Sequence, residues 1–253
     1  MSELSRGKLL IEGKTKKIWS VAENPALIII ENKKDITAFD NPEFTRQFEQ
    51  KARYATTTTC RVFELLQEAG IPVAYLKQVS DTEFLAPACE MIPLEVVARR
   101  YAVGSFLKRH PEFTRTENEA PFRFDDLKVE FFLKTTKGKL TNREGKIVVD
   151  GLDAKKGEED PFMENALIDT FQALEQAWWN VHRCRLIDMK IEFGRTGKGE
   201  ILVADVIDND SWRLRDENWQ ELSKEAFRQG EALDEVERKY GLVADLVEKL
   251  AKR

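Results

Sequence analysis

The segments LIDMKIEFG (residues 186–194) and ILVADVIDNDSWR (residues 201–213) decide the fold of this part of the chain. In the first segment, apolar residues alternate with Asp188, Lys190 and Glu192, which predicts a β-strand with one buried face and one ionisable face. The glycine-rich connection between the segments predicts a turn, so the second segment returns as an antiparallel partner. The two segments therefore predict a hairpin that carries its charges on one face.

The returning strand of this hairpin ends at Asp205, which we expect to lie near Asp188 and Lys190. The carboxylates of Asp188, Glu192 and Asp205 would then converge around one lysine. Such a cluster repels itself unless a cation neutralises it, and Mg²⁺ prefers oxygen ligands of this kind. A solvated strand face with salt bridges is the alternative explanation.

Acidic residues are dense immediately after the returning strand. Asp208 and Asp210 follow Asp205 closely, and Arg213 comes next. Polar side chains at the end of an apolar strand are well placed to meet a ligand, and an arginine can hold a phosphate through two parallel hydrogen bonds. A turn rich in Asp and Asn explains the same pattern without a ligand.

Composition excludes several functional classes. The 253 residues suffice for one large domain or two smaller lobes. The net charge is -5, which argues against general binding to nucleic acid. The three cysteines lack the spacing of a zinc site or a disulfide framework, and no run approaches the roughly 20 apolar residues of a membrane helix. The first residues also lack the apolar core of a signal peptide. We therefore expect a soluble, cytoplasmic protein without a membrane partner.

The N-terminal part of the chain predicts a small sheet followed by a helix. Short β-rich segments at residues 8–12, 16–21 and 26–31 predict an antiparallel meander. Residues 50–69 predict a helix that stops at a glycine and a proline. Residues 86–93 read as a short connector, and we place the boundary between two lobes there. The predicted lobes are residues 1–90 and residues 91–253.

The C-terminal part predicts helices around the charged hairpin. Residues 114–128 are predicted as loop, and the lysine- and glycine-rich residues 134–160 as an excursion or flap. Residues 165–181 carry apolar groups at helical spacing. Residues 217–250 predict one or two amphipathic helices that break near Gly241 and brace the second lobe.

The sequence EGKTK at residues 12–16 resembles a phosphate-binding loop only in part. The Walker pattern requires a glycine where this chain has Lys8, and it requires a helix afterwards. What remains is a turn between strands with Lys14 and Lys16 near its tip. This arrangement resembles the glycine-rich hairpin that covers the phosphates in kinases. A basic hairpin tip without a ligand is the alternative.

A second candidate anion site lies near Arg99. An alternating strand carries this arginine and leads to Gly104 and Ser105 at a predicted helix start. Free amides at a helix N-terminus, a serine hydroxyl and an arginine favour binding of an anion. Alternatively, Ser105 is only a helix cap and Arg99 a surface charge.

Together these motifs closely resemble the SAICAR synthetase family (phosphoribosylaminoimidazole-succinocarboxamide synthase) in sequence, order and spacing. The resemblance covers about residues 8–215. The matching motifs are GKTK (13–16), CEMIPLEVVAR (89–99) with GS (104–105), DMKIEFG (188–194) and DVIDNDSWR (205–213).

The resemblance implies an α+β fold of two lobes, with an N-terminal, kinase-like antiparallel-sheet lobe and ATP in the cleft between the lobes. It also implies an activity: ligation of L-aspartate to the carboxylate of carboxyaminoimidazole ribonucleotide (CAIR) in purine biosynthesis, with ATP converted to ADP and phosphate. The implied cofactors are ATP and Mg²⁺. The sequence leaves open whether the chain forms a homo-oligomer.

The resemblance also implies a role for each matching residue. Lys14 and Lys16 are implied to cover the phosphates, and Lys190 to neutralise charge on the transferred phosphoryl group. Residues implied to bind ATP are Lys14, Lys16, Glu90, Met91, Ile92 and Lys190. The implied catalytic residues are Lys190, Glu192 and Asp205, of which Glu192 and Asp205 hold Mg²⁺. Residues implied to bind CAIR are Glu95, Arg99, Ser105, Asp210 and Arg213.

One departure from the family, the residues that bind L-aspartate, and two alternative functions stay open at this point. The family has Gly-Lys-Gly or Gly-Lys-Ala where this chain has QKA at residues 50–52, so the role of Lys51 is undecided, and no residue is assigned to L-aspartate. A small-molecule kinase would use the same Lys, Glu and Asp set, but this chain lacks the usual order of a kinase catalytic loop. A nucleotide-binding regulator without catalysis is the second alternative, although Lys190, Glu192 and Asp205 are all retained.

Overall fold

The computed structural model describes residues 5–37, 42–116, 119–133 and 153–250. Most of the predicted flap, residues 134–152, lies outside the described residues. Within the described part of the chain, no helix is long and apolar enough to cross a membrane.

The described residues form twelve strands and five α-helices, with two short 3-10 helices at Pro42–Phe44 and Pro111–Phe113. The strands are β1 (Arg6–Glu12), β2 (Lys16–Val21), β3 (Leu27–Asn32), β4 (Asp35–Thr37), β5 (Thr45–Gln47), β6 (Lys77–Ser80), β7 (Glu83–Pro87), β8 (Cys89–Tyr101), β9 (Arg123–Leu133), β10 (Arg185–Thr196), β11 (Ile201–Ala204) and β12 (Trp212–Arg215). The helices are α1 (Lys51–Glu68), α2 (Ser105–Arg109), α3 (Asp153–His182), α4 (Glu225–Arg228) and α5 (Leu233–Val247).

The first large sheet contains five antiparallel strands in the order β1-β2-β3-β7-β6. Strands β1 to β3 form the predicted meander, which is therefore confirmed. The predicted connector at residues 86–93 is wrong, because β7 ends at Pro87 and β8 begins at Cys89. The two prolines in this stretch suggested a loop, but Pro87 ends its strand and Pro93 lies within β8.

The second large sheet surrounds β10. Strand β8 pairs with one edge of β10, and β9 lies on the far side of β8. The other edge of β10 is shared by two short strands, with β11 opposite residues 192–195 and β12 opposite residues 185–189. The chain that joins β11 to β12 therefore leaves the sheet opposite the middle of β10.

Strand β9 corrects the prediction of a loop at residues 114–128, because the strand begins at Arg123. Leu127, Val129 and Phe131 alternate with charged or less buried neighbours and pack on the main core. This period-two pattern is the signal of a strand with one buried face, and it was present in the sequence.

Helices α1 and α3 cover the sheets and build one continuous core with them. The predicted helices at residues 50–69 and 165–181 are confirmed, although α3 begins earlier, at Asp153. The apolar face predicted for α3 is fully buried at Leu167, Phe171, Leu174 and Trp178. Both sheets and both helices therefore contribute buried residues to the same core.

Helix α5 corrects the predicted break near Gly241, since the helix continues through this residue. A Cβ at Gly241 would lie 3.1 Å from the ring of Tyr54 on α1. The glycine thus allows close packing of α5 on α1 rather than ending the helix. The C-terminal helix therefore packs on a helix from the N-terminal part of the chain.

Candidate active site

The tip of the hairpin between β1 and β2 is a tight turn. The Gly13 amide donates to the Lys16 carbonyl at 2.9 Å, which closes the turn and leaves Lys14 exposed. The ammonium of Lys16 points across the molecule and forms an ion pair with Asp205, which follows β11. The predicted basic tip is therefore in contact with the acidic loop of the second sheet.

Lys190 lies at the middle of β10 between two glutamates. Its Nζ is 2.8 Å from Oε1 of Glu192 and 3.2 Å from Oε1 of Glu95 on β8. Strand register places Glu95 directly opposite Glu192, so the lysine neutralises two carboxylates that would otherwise repel each other. Burial alone would lower the pKa of Lys190, but the carboxylates of Glu192, Glu95 and Asp205 raise it above its ordinary value. The ammonium is therefore charged at neutral pH.

Asp205 joins this group through the pairing of β11 with β10. Ala204 pairs with Glu192, so the next residue leaves the strand beside the Lys190 and Glu192 side chains. Asp205 adopts a left-handed backbone with φ of +68°, which is unusual for a residue other than glycine. The predicted approach of Asp205 to Lys190 is thus observed.

Asp188 does not join this cluster, and that prediction is wrong. Its Oδ2 accepts hydrogen bonds from Arg99 at 2.6 Å and from Arg213 at 2.7 Å. Asp188 and Glu192 are four residues apart on one strand, or about 13 Å at the rise of a β-strand. That separation is too long for both carboxylates to surround the same small group.

The arginine cluster forms the second part of the site. Arg99 is almost fully buried, and its Nε donates to Glu130 at 2.6 Å. Arg213 also donates to Glu225, at 3.1 Å. Burial opposes the charge of Arg213, but Asp188 and Glu225 raise its pKa. The sequence did not indicate Glu130 or Glu225 as partners, although the strand period around Glu130 was detectable.

Gly104 and Ser105 lie beside this cluster at the start of the short helix α2. Gly104 has φ of +57°, and a Cβ there would lie 2.6 Å from Nη2 of Arg213. The arginine side chain therefore packs directly on the glycine backbone. Ser105 is exposed, and its carbonyl accepts a hydrogen bond from Arg109 at 3.1 Å. The structure thus brings Arg99, Gly104, Ser105 and Arg213 together, as predicted.

Glu90, Met91 and Ile92, which the resemblance implies bind ATP, lie at the other end of the same strand pair. Glu90 and Met91 are exposed and pair with Arg195 and Gly194 of β10, while Ile92 is buried. A Cβ at Gly194 would lie 2.6 Å from Cβ of Cys89, so this glycine permits close approach of β10 to β8. The three groups of predicted residues therefore follow one another along β10.

Asp208 and Asp210 belong to a buried network that the sequence did not predict. Nζ of Lys51 lies 3.6 Å from Oδ2 of each aspartate. Asp210 also accepts hydrogen bonds from the Tyr240 hydroxyl at 2.5 Å and from Lys224 at 3.1 Å. Burial opposes the ionised form of Asp210, but Lys224 and Lys51 lower the pKa of its carboxyl. The contact between Asp210 and substrate remains a prediction.

The carboxylates of the candidate site can be compared with the ligands that a metal ion requires. Among the described residues, no three His, Cys, Asp or Glu side chains form a ready metal site. Glu192 on β10 nevertheless pairs with Ala204 on β11, and Asp205 is the next residue after Ala204. Mg²⁺ that carries a nucleotide takes only one or two carboxylates and completes its shell with phosphate and water. Two carboxylates beside Lys16 and Lys190 fit that requirement.

Comparison with known proteins assigns the chain to a family. The sequence profile of SAICAR synthetase matches residues 9–245. The chain belongs to the SAICAR synthetase family. Its motifs and mixed α+β fold with antiparallel sheets agree with this membership.

Relatives include proteins both longer than this chain and of similar length. The chain is 44% identical over 228 residues to the "Probable multifunctional protein ADE2" of Caenorhabditis elegans, covering 87% of this chain and 52% of that protein. It is 39% identical to the phosphoribosylaminoimidazole-succinocarboxamide synthase of Chloroflexus aurantiacus, covering 95% of this chain and 96% of that protein. The chain spans about half the length of the multifunctional relative.

Two solved structures share the fold over nearly the whole chain. The phosphoribosylaminoimidazole-succinocarboxamide synthase of Ehrlichia chaffeensis superposes with a TM-score of 0.82 at 25% identity, covering 95% of this chain and 98% of that chain. A SAICAR synthetase in complex with ADP gives a TM-score of 0.79 at 25% identity, covering 94% and 97%.

Proposed function

We propose that the chain is an ATP-dependent ligase that joins L-aspartate to the carboxylate of CAIR and yields SAICAR, ADP and phosphate in purine biosynthesis. The observation that carries this proposal is the row of sites along β10. An arginine cluster at Asp188 lies next to the Lys190 and Glu192 pair, and the exposed Glu90 and Met91 follow. Membership of the SAICAR synthetase family and the solved relative with ADP support it.

The chemistry requires activation of the CAIR carboxylate, because a carboxylate is a poor acyl donor. A carboxylate oxygen attacks the γ-phosphorus of ATP, and the bond from that phosphorus to the bridging oxygen of ADP breaks. The amine of aspartate then attacks the acyl phosphate, loses a proton, and displaces inorganic phosphate. The first step is a phosphoryl transfer, which depends chiefly on alignment and charge neutralisation.

Lys190, Lys14 and Lys16 supply that neutralisation. Lys190 is fixed by two glutamates and stays charged, so we assign it to the transferred phosphoryl group. Lys14 is exposed at the hairpin tip, and Lys16 reaches toward Asp205. We assign both lysines to the phosphates of ATP that are not transferred. A fixed ammonium needs little reorganisation when negative charge builds up in the transition state.

Adenine would lie against residues 90–92, where Glu90 and Met91 are exposed and Ile92 is buried. Glu192 and Asp205 would hold Mg²⁺, which when bound lowers the cost of charge on the leaving phosphate oxygens. We place ATP in the cleft between the N-terminal lobe (residues 1–90) and the C-terminal lobe (residues 91–253).

The arginine cluster is assigned to the phosphate of CAIR. Arg99 and Arg213 share one oxygen of Asp188, which fixes both guanidinium groups before the substrate arrives. Guanidinium groups retain further N–H donors after one such contact, and they bind phosphate in a planar geometry. Ser105 lies next to them, and Glu95 and Asp210 are assigned to the same substrate. We also propose that the protein works in the cytoplasm.

An ADP-release assay with each substrate omitted in turn tests the function. ADP formation that requires CAIR, with SAICAR produced only when L-aspartate is added, is the expected result. Asp205→Asn should abolish both signals while the fold remains intact by circular dichroism. ADP formation without incorporation of aspartate would favour the small-molecule kinase, and nucleotide binding without any ADP formation would favour the regulator.

A further inference from the structure

Lys51 is a buried charge that the proposed reaction does not use. It is the first residue of α1, and its side chain is 2% exposed. A buried ammonium is costly unless opposite charges surround it. Here Asp208 and Asp210 lie at equal distances of 3.6 Å and raise the pKa of Lys51 above its ordinary value, although burial acts in the opposite direction.

These groups continue into the candidate active site as a series of alternating charges. Lys51 lies between Asp210 and Asp208. Burial raises the pKa of the Asp208 carboxyl, and Lys51 opposes that rise, as does Lys16 to a smaller extent from its place beside Asp205 on the same loop. Lys16 is paired with Asp205, and Asp205 in turn acts on Lys190. In order, the series is Lys224, Asp210, Lys51, Asp208, Lys16, Asp205, Lys190 and Glu192.

The loop at residues 205–211 contains all three aspartates of the series and is anchored from two directions. Ser211 accepts a hydrogen bond from the Lys190 amide at 2.7 Å, and the Thr59 hydroxyl of α1 donates to the Ile207 carbonyl at 3.3 Å. Lys51 adds the charged contact from α1. The contacts of α1 with Ile207 and Asp208 therefore act on the same short loop that carries Asp205.

We propose that Lys51 is a positioning residue, which neutralises Asp208 and thereby leaves Lys16 to Asp205 and to the phosphates of a bound nucleotide. This role rests on the proposed function, because the nucleotide is the ATP of that reaction. Its effect on nucleotide affinity can be measured separately from the reaction. Lys51 contacts neither substrate nor cofactor in this role. Its influence passes through Asp208 and Lys16.

Loss of the Lys51 charge has a defined consequence in this arrangement. Asp208 and Asp210 would face each other without the cation between them, and repulsion between close carboxylates is strong in a buried setting. Lys16 is a second cation that acts on Asp208. The loop should shift so that Asp208 competes for Lys16, which weakens the hold on nucleotide phosphates.

A double-mutant cycle tests the proposal through the affinity for Mg·ADP, measured by isothermal titration calorimetry without CAIR or aspartate. Lys51→Met should raise the dissociation constant at least tenfold. Asp208→Asn removes the competing carboxylate, so the double variant should recover to within about threefold of the unmodified protein. Lys51→Arg, which keeps the charge, should also stay within about threefold.

The other outcomes separate the explanations. Lys51→Met with a lowered unfolding temperature but unchanged Mg·ADP affinity overturns the proposal and leaves a purely structural role. Where Lys51→Met does not fold, the double variant decides: recovery of affinity supports the proposal, and folding with a tenfold weaker affinity overturns it. If the unmodified protein binds Mg·ADP but forms no SAICAR, only the proposed function fails; if it does not bind Mg·ADP, both fail.

Discussion

Substitution of Gly104 by alanine should weaken binding of CAIR more than binding of nucleotide. Gly104 has φ of +57°, and the added Cβ would lie 2.6 Å from Nη2 and 3.0 Å from Cζ of Arg213. The guanidinium must therefore move away from the glycine. That movement disturbs its contacts with Asp188 at 2.7 Å and Glu225 at 3.1 Å.

The magnitude has two parts. The positive-φ backbone of Gly104 costs an alanine about 1–3 kcal/mol, and a lost hydrogen bond to a charged group costs about 1.5–3 kcal/mol more. Gly70→Ala is the matched control, because Gly70 has φ of +78° but nothing lies within 4 Å of its added Cβ. The backbone cost arises in both variants, so the lost hydrogen bond should make Gly104→Ala unfold about 3–12 °C below Gly70→Ala, at about 2–4 °C per kcal/mol for a chain of this size.

Steady-state formation of SAICAR at varied CAIR supplies the functional measurement. Misplacement of one arginine–phosphate contact should raise the KM for CAIR about 10- to 100-fold, with Mg·ADP affinity within twofold of the unmodified protein. Gly70→Ala should leave both constants unchanged. Equal melting temperatures for the two variants, together with an unchanged KM for CAIR, would refute the placement of the substrate phosphate at Arg213.

Three further predictions concern stability. Arg99→Met removes one of the two arginines that neutralise each of the buried carboxylates Asp188 and Glu130, and it should cost about 1.5–3 kcal/mol in urea unfolding; a loss below 1 kcal/mol would contradict the buried network. Gly241→Leu should overpack the contact with Tyr54 by about 1–3 kcal/mol, and Tyr54→Ala should relieve part of this cost when thermal melts of single and double variants are compared. Burial raises the pKa of the Asp210 carboxyl, but Lys224 and Lys51 lower it below its ordinary value in the folded protein. The ionised carboxylate therefore stabilises the fold fully above the unfolded value of 3.8, and this stabilisation is lost as pH falls through the folded value. Asp210→Asn should therefore lose less stability than the unmodified protein between about pH 5 and pH 3, and parallel losses would exclude this role.

Local periodicity determined the elements that the sequence predicted well. The alternation through residues 187–193 and the helical spacing of Leu167, Phe171 and Trp178 each specify a buried face within a few residues. The motifs likewise located Lys190 and Glu192 on one strand. Pattern reasoning failed where a proline or a run of charges hid a strand, as at Pro93 and in residues 123–133.

Beyond the approach of Asp205 to Lys190, the tertiary structure alone decided which charged residues from different segments meet. Asp188 and Asp205 belong to different charge clusters because β12 and β11 pair with different parts of one edge of β10. Asp188 therefore contacts the arginines, and Asp205 lies near Lys190. Lys51 and Asp208 come from distant parts of the chain and meet only because α1 packs over the loop after β11. Strand register and packing between remote segments depend on the whole core, whereas a periodic pattern records only which face of one segment is buried.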